Sequence, residues 1–167
     1  DRGLGLGGDR DDAAMILSGN SIAHALMTYG AILAGVPVAP VSRAYSLMSG
    51  DFAKLRYVFD LIEPRLIFAD DGVIYEKALG ALDLKGVDLV HVTRKPGAVA
   101  STSFDTMMST SPTADVERAY AALNHDTVAK YLFTSGSTGM PKAVINTHRM
   151  MCTNAAMNRS LLDEPDE

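Results

Sequence analysis

Six short apolar runs, separated by helix-length segments or tight polar turns, constrain this chain more than any other feature. The runs cover 13–17, 36–41 (prolines alternating with small apolar residues, an irregular strand), 66–69, 87–92, 128–133 and the β-branched 142–147. Each is long enough for a buried strand and too short for a helix. After the first run, Ser18-Gly-Asn-Ser21 offers helix-capping chemistry. Ile22, Ala25, Leu26, Tyr29, Ile32 and Leu33 then recur at helical spacing, and Gly35 stands where a C-terminal cap is expected. Asp51 opens a second helix through Phe52, Leu55, Val58, Phe59 and Ile62, which Pro64 stops. A third helix is expected over Val73–Leu82 after an Asp71-Gly72 turn. A fourth is expected over Thr113–Leu123, and a last one, capped by Thr147, runs through Met150, Met151, Asn154 and Met157. Lys95–Ser103 reads as a loop. Strands alternating with helices predict an α/β fold, a mostly parallel sheet flanked by helices.

The chain has 167 residues, enough for one domain with its own core. A hydrophobic share of 47 % beside a charged share of 21 % is an ordinary globular balance, so neither disorder nor a membrane span is predicted. A net charge of −5 with no Lys/Arg cluster disfavours a nucleic-acid partner, because neutralising phosphates needs clustered cations. Cys152 is the single cysteine, which rules out an internal disulfide. No apolar run reaches membrane-spanning length and no signal peptide opens the chain, so a cytoplasmic location is the default expectation.

Chemistry concentrates between Tyr131 and Lys142, which read Y-L-F-T-S-G-S-T-G-M-P-K. Thr134, Ser135, Ser137 and Thr138 supply hydroxyls. Gly136 and Gly139 let the backbone turn tightly and approach a ligand. Lys142 supplies a positive charge. Hydroxyls, free N–H groups and one ammonium suit a polyphosphate. The Walker pattern G-x-x-x-x-G-K-[ST] does not fit, because Pro141 precedes the lysine and Ala143 follows it. The β-branched stretch after Lys142 predicts a hairpin between two strands, not a loop capping a helix.

That motif resembles the phosphate-binding signature of the acyl-adenylate-forming superfamily: acyl-CoA synthetases, luciferases and peptide-synthetase adenylation domains. It spans Thr134–Lys142 and is followed by A-V-I-N-T-H-R. Ile16–Ser21 (I-L-S-G-N-S), Gly35–Ser42 (G-V-P-V-A-P-V-S) and Ala44–Leu47 are also similar to that superfamily's N-terminal domain. The wording of Ala39–Leu47 and Ile145–Cys152 resembles feruloyl-CoA synthetases, which activate hydroxycinnamic acids. The likeness runs from about Ala13 to about Leu162. Many relatives carry Gly where this chain has Ala143, a change a strand accepts.

The resemblance implies a two-step ligation. A carboxylate attacks the α-phosphorus of ATP, giving an acyl-adenylate and pyrophosphate. A CoA thiol then displaces AMP to give the thioester. It implies ATP, Mg²⁺ and CoA as co-substrates and a small carboxylic acid as partner. Ser135, Ser137 and Thr138 would donate to the β- and γ-phosphates, Gly136 and Gly139 would let the loop wrap, Lys142 would offset charge, and Thr134 would fix the loop base. The expected organisation is a loop over 1–12, a partial AMP-binding domain over 13–162, and an end segment over 163–167. Starting at Asp1 and ending in D-E-P-D-E, the chain reads as part of a longer enzyme. The magnesium-binding glutamate and catalytic lysine cannot be placed in it, and it is expected to be inactive and poorly stable alone.

Other candidates read as structural. Gly3–Gly8 formally contains G-x-G-x-x-G, but only two residues precede it, so no strand can. That disfavours a nicotinamide-dependent reductase, as the missing G-K-[ST] disfavours a P-loop kinase. A non-catalytic folding or interaction module stays open as the third alternative. His24, His91, His125 and His148 have no metal-ligand spacing. His24 reads as structural and His148 as a helix-start residue. Met150, Met151, Cys152 and Met157 fit core packing on one helix face. Arg43-Ala-Tyr45 reads as a polar loop.

Overall fold

The computed structural model describes residues 13–134 and 139–162. The first strand, β1 (Ala14–Leu17), is buried on both faces, as its unbroken apolar run requires. Helix α1 (Ile22–Leu33) follows. The Ser21 hydroxyl accepts the His24 amide at 3.0 Å, and Gly35 at φ 76° closes the C-terminal end. Strand β2 (Val38–Pro40) leads to α2 (Arg43–Leu47) and α3 (Ala53–Ile62). The Asp51 carboxylate accepts the Ala53 amide at 3.1 Å from one residue ahead of the N-cap, Phe52, so α3 begins two residues after the expected opening at Asp51. After β3 (Leu66–Ala69) come α4 (Glu76–Leu79), β4 (Asp88–His91), β5 (Thr102–Ser103) and α5 (Phe104–Met108). The chain continues through α6 (Ala114–Ala122), β6 (Val128–Thr134), β7 (Lys142–Thr147) and α7 (His148–Leu162).

Among the described residues the strands form one sheet in the order β5-β4-β3-β1-β2-β6-β7. Every neighbouring pair is parallel except β6–β7. The expected α/β fold, a mostly parallel sheet flanked by helices, is what the chain adopts. On one face Met15, Leu17, Ile67 and Ala69 pack against Leu55, Val58 and Ile62 of α3 and Leu79 of α4. On the other, Ala14, Ile16, Phe68 and Val90 meet Met27, Ala31 and Ile32 of α1 and Phe104 of α5. Phe68 and Phe104 stand edge to face at 5.5 Å.

Several expectations are corrected. The Val73–Leu82 helix is helical only over Glu76–Leu79, because the Asp71 carboxylate takes the Val73 and Ile74 amides and holds a turn there. The Lys95–Ser103 loop ends in β5, whose two residues pair with β4 and are too few to show a period. Helix α5, capped by Ser103, was not foreseen. Arg43-Ala-Tyr45 is not a loop but the start of α2, a helix too short for apolar periodicity to mark. The Met150–Met157 face does not pack in the core as a whole. Met151 packs against it, while Met150, Cys152 and Met157 are exposed.

Candidate functional site

Parallel strands place their carboxyl ends on one edge of a sheet, and in open α/β sheets ligands bind outside that edge. Strand β6 runs parallel to β2, so Thr134, its last residue, reaches that edge. The chain returns as β7, antiparallel, with Thr134 paired to Lys142. The expected hairpin is therefore present, and the motif sits between two strands. The Thr134 hydroxyl lies 3.5 Å from the Lys142 carbonyl, a long contact across the base. Gly139 has φ 89°, a conformation that favours glycine. Pro141 is buried, which anchors the returning strand, and Lys142 is exposed. Among the described residues no ion pair of Lys142 occurs. Ser135, Gly136, Ser137 and Thr138 lie outside the described residues, as does Gly3–Gly8.

A second polar group stands on the same edge, where the strand order reverses. From β1 the chain moves to β2 on one side, then to β3 on the other. At these two strand ends the Gly19 amide donates to Asp70 Oδ2 at 2.8 Å. Arg43 covers the site, its Nη1 only 3.2 Å from where a Cβ on Gly19 would lie. Tyr75 is fully buried below, and its hydroxyl has no hydrogen-bond partner of ordinary geometry. Burial pushes that hydroxyl's pKa up and the Asp70 carboxylate adds to the effect, while the Arg43 guanidinium opposes it without reversing the direction. Two strand spacings separate β1 from β6, roughly 10 Å. Sequence reading assigned no site role to Asp70, Gly19 or Tyr75; Ser18-Gly-Asn-Ser21 was read as a helix cap and as part of the family-like segment Ile16–Ser21.

Two histidines make contacts near helix starts. His24 Nδ1 lies 3.1 Å from the Gly19 carbonyl, and the His148 amide donates to Thr127 at the start of α7. Among the described residues no group of His, Cys, Asp or Glu is arranged to hold a metal ion. Among the described residues no helix is long and apolar enough to cross a membrane.

An open, mostly parallel sheet flanked by helices defines an α/β domain. The chain belongs to the AMP-binding enzyme family, whose model matches residues 2–166. No curated protein sequence matches it. Among solved structures it is similar to VinN in complex with 3-methylaspartate, at 25 % identity and a TM-score of 0.62, covering 95 % of this chain and 39 % of VinN. It is also similar to a luciferase-like enzyme from the nonluminescent mealworm Zophobas morio, at 20 % identity and a TM-score of 0.62, covering 86 % of this chain and 32 % of that one. A benzoate CoA ligase from Burkholderia xenovorans LB400 matches at 20 % identity and a TM-score of 0.66, covering 87 % of this chain and 26 % of the ligase. The last two likenesses show the fold alone. The chain spans well under half the length of each of these proteins.

Proposed function

We propose that this chain is the nucleotide-gripping part of an ATP-dependent acid–CoA ligase that adenylates a carboxylic acid and passes it to a thiol. The observation that carries the reading is the pairing of Thr134 with Lys142 at the carboxyl edge, with the hydroxyl- and glycine-bearing motif between them. The difficulty in such a reaction is charge, since a carboxylate must approach a triphosphate. Lys142 offsets negative charge on the phosphate tail. Ser135, Ser137 and Thr138 donate hydrogen bonds to it, Gly136 and Gly139 let the backbone come close, and Thr134 holds the base of the loop. In the first step the carboxylate oxygen bonds to the α-phosphorus and pyrophosphate leaves. In the second the thiol sulfur bonds to the acyl carbon, AMP leaves, and the thiol proton goes to solvent. Magnesium bound with ATP would spread the phosphate charge further.

The acid we favour is aromatic, of the hydroxycinnamate or ferulate kind, supported by the wording of Ala39–Leu47 and Ile145–Cys152. We place the enzyme in the cytoplasm, with ATP, CoA and the acid as its small-molecule partners. The test is ATP–pyrophosphate exchange in a complete homologous enzyme with Lys142→Ala or Thr138→Ala at the matching positions. Exchange should fall on the order of a hundred-fold. Unchanged kinetics would remove the loop from the mechanism. Running the unmodified enzyme with hydroxycinnamic, benzoic and fatty acids tests the substrate. A preference for either of the latter would overturn the aromatic assignment and leave the adenylation standing.

A further inference from the structure

We propose that Pro40 is a positioning residue: it releases the outer half of the β6–β7 hairpin from the rest of the sheet, so that the arm ending in Thr134 and Lys142 bends as a unit about Lys130. Backbone groups of successive strand residues face opposite neighbours. The Pro37 carbonyl accepts from Ala14 and the Val41 amide donates to Ile16, so both face β1. Val38 and Pro40 therefore face β6. Pairing between β2 and β6 occurs at one register position, Val38 with Lys130. The next rung would run from an amide at residue 40 to the Tyr131 carbonyl, and proline has no N–H to give. On the other side the ladder is intact, since β1 pairs with β2 as far as Ile16 and Pro40.

A second observation falls at the same place. The β6–β7 register shifts between Val128 and Lys130. Such a bulge bends the strand and disrupts its ladder locally. Beyond it the arm is internally regular, with Tyr131 paired to Ile145, Leu132 to Val144, Phe133 to Ala143 and Thr134 to Lys142. Its packing is one-sided. Tyr131, Phe133 and Ile145 meet the core, while Leu132 and Val144, directly opposite each other, are 37 % and 47 % exposed. The bend thus has a stiff arm, a weakened root and an uncovered side toward which to move. If the hairpin grips phosphates as proposed above, Thr134 and Lys142 follow them together.

The test is residue-resolved amide exchange on the nucleotide-free 167-residue chain. In the unmodified protein, amides of Tyr131–Thr134 and Lys142–Ile145 should exchange faster than those of β1 and β3. Pro40→Ala supplies the missing donor and should slow the arm's exchange about five-fold, the equivalent of one net hydrogen bond. A variant that is merely loosened would exchange faster, the opposite sign. Pro64→Ala, at the end of α3, controls for removing any proline and should leave the arm unchanged. Arm exchange that is unchanged or faster in folded Pro40→Ala overturns the proposal. Should that variant fail to fold, arm amides as protected as those of β1 in the unmodified chain overturn it, and less protected ones support it. With no nucleotide present, failure here leaves the phosphate-gripping reading intact, and failure of pyrophosphate exchange leaves the hinge intact.

Discussion

The Gly19 amide and the Asp70 carboxylate, 2.8 Å apart, tie the end of β1 to the end of β3 along the line where the strand order reverses. Asp70→Ala removes the acceptor and leaves a part-buried N–H without one. The expected loss is about 1–3 kcal/mol, measured by chemical denaturation. Asp70→Asn keeps an acceptor oxygen and should lose less. Equal stability of all three proteins would show that the contact contributes nothing.

Asp71 predicts an acid limb in the stability profile. Burial opposes its ionisation, but the Arg94 guanidinium at 2.8 Å and the amides of Ile74 and Val73 outweigh that and lower its pKa to about 2 from 3.8. A carboxyl depressed on folding stabilises the protein fully above its unfolded pKa and loses that contribution as pH falls through the folded one. Stability should therefore drop between pH 3.8 and about 2. Denaturation across that window should show a shallower drop for Asp71→Asn, and an identical slope would exclude the pairing as its source.

Gly72 is required by space. A Cβ there would lie 2.3 Å from Pro96 Cδ and 2.5 Å from the Arg94 carbonyl, while the Gly72 amide donates to that same carbonyl at 2.8 Å. Backbone on both sides cannot yield cheaply. Gly72→Ala should destabilise by about 1–3 kcal/mol, seen as a lower melting temperature. Gly50→Ala, where nothing lies within 4 Å of the added carbon, is the matched control and should not shift it.

Helix α1 presents a second apolar face to solvent. Ile22, Leu26, Tyr29 and Leu33 are 81 %, 48 %, 63 % and 53 % exposed, and the helix carries no charge. An uncovered seam of this kind promotes association. The double variant Leu26→Glu/Tyr29→Glu should lower the apparent mass of the purified chain in sedimentation and raise its solubility. An unmodified chain that is strictly monomeric at high concentration would contradict this.

The same helix shows where sequence reading reached its limit. Ile22, Ala25, Leu26, Tyr29, Ile32 and Leu33 marked a helix correctly, yet only Ile32 of these is buried, and Met27 and Ala31 join it against the sheet. Periodicity reveals a helix without saying which of two apolar faces meets the core. Strands were easier to place. Ala14–Leu17 and Leu66–Ala69 fall inside the expected runs, because a strand buried on both faces must be continuously apolar, and Asp88–His91 falls inside the run over 87–92. Thr134 and Lys142 were legible as the two ends of a hairpin, since β-branched residues lead in and out of a glycine-rich turn. The contact of Gly19 with Asp70 was not legible, because the two lie 51 residues apart and no local pattern links them.

Residue order alone marked most of the alternation of strands and helices (though not α2, β5 or α5), the hairpin between Thr134 and Lys142 and the resemblance that the family match bears out at the level of the AMP-binding enzymes. These are local properties, written in propensity, periodicity and turn chemistry. Only the folded arrangement decided that β1 lies between β2 and β3, that Arg43 covers Gly19, and that Pro40 faces β6 rather than β1. Those relationships depend on contacts between distant segments, whose geometry is set when all the apolar faces are buried together.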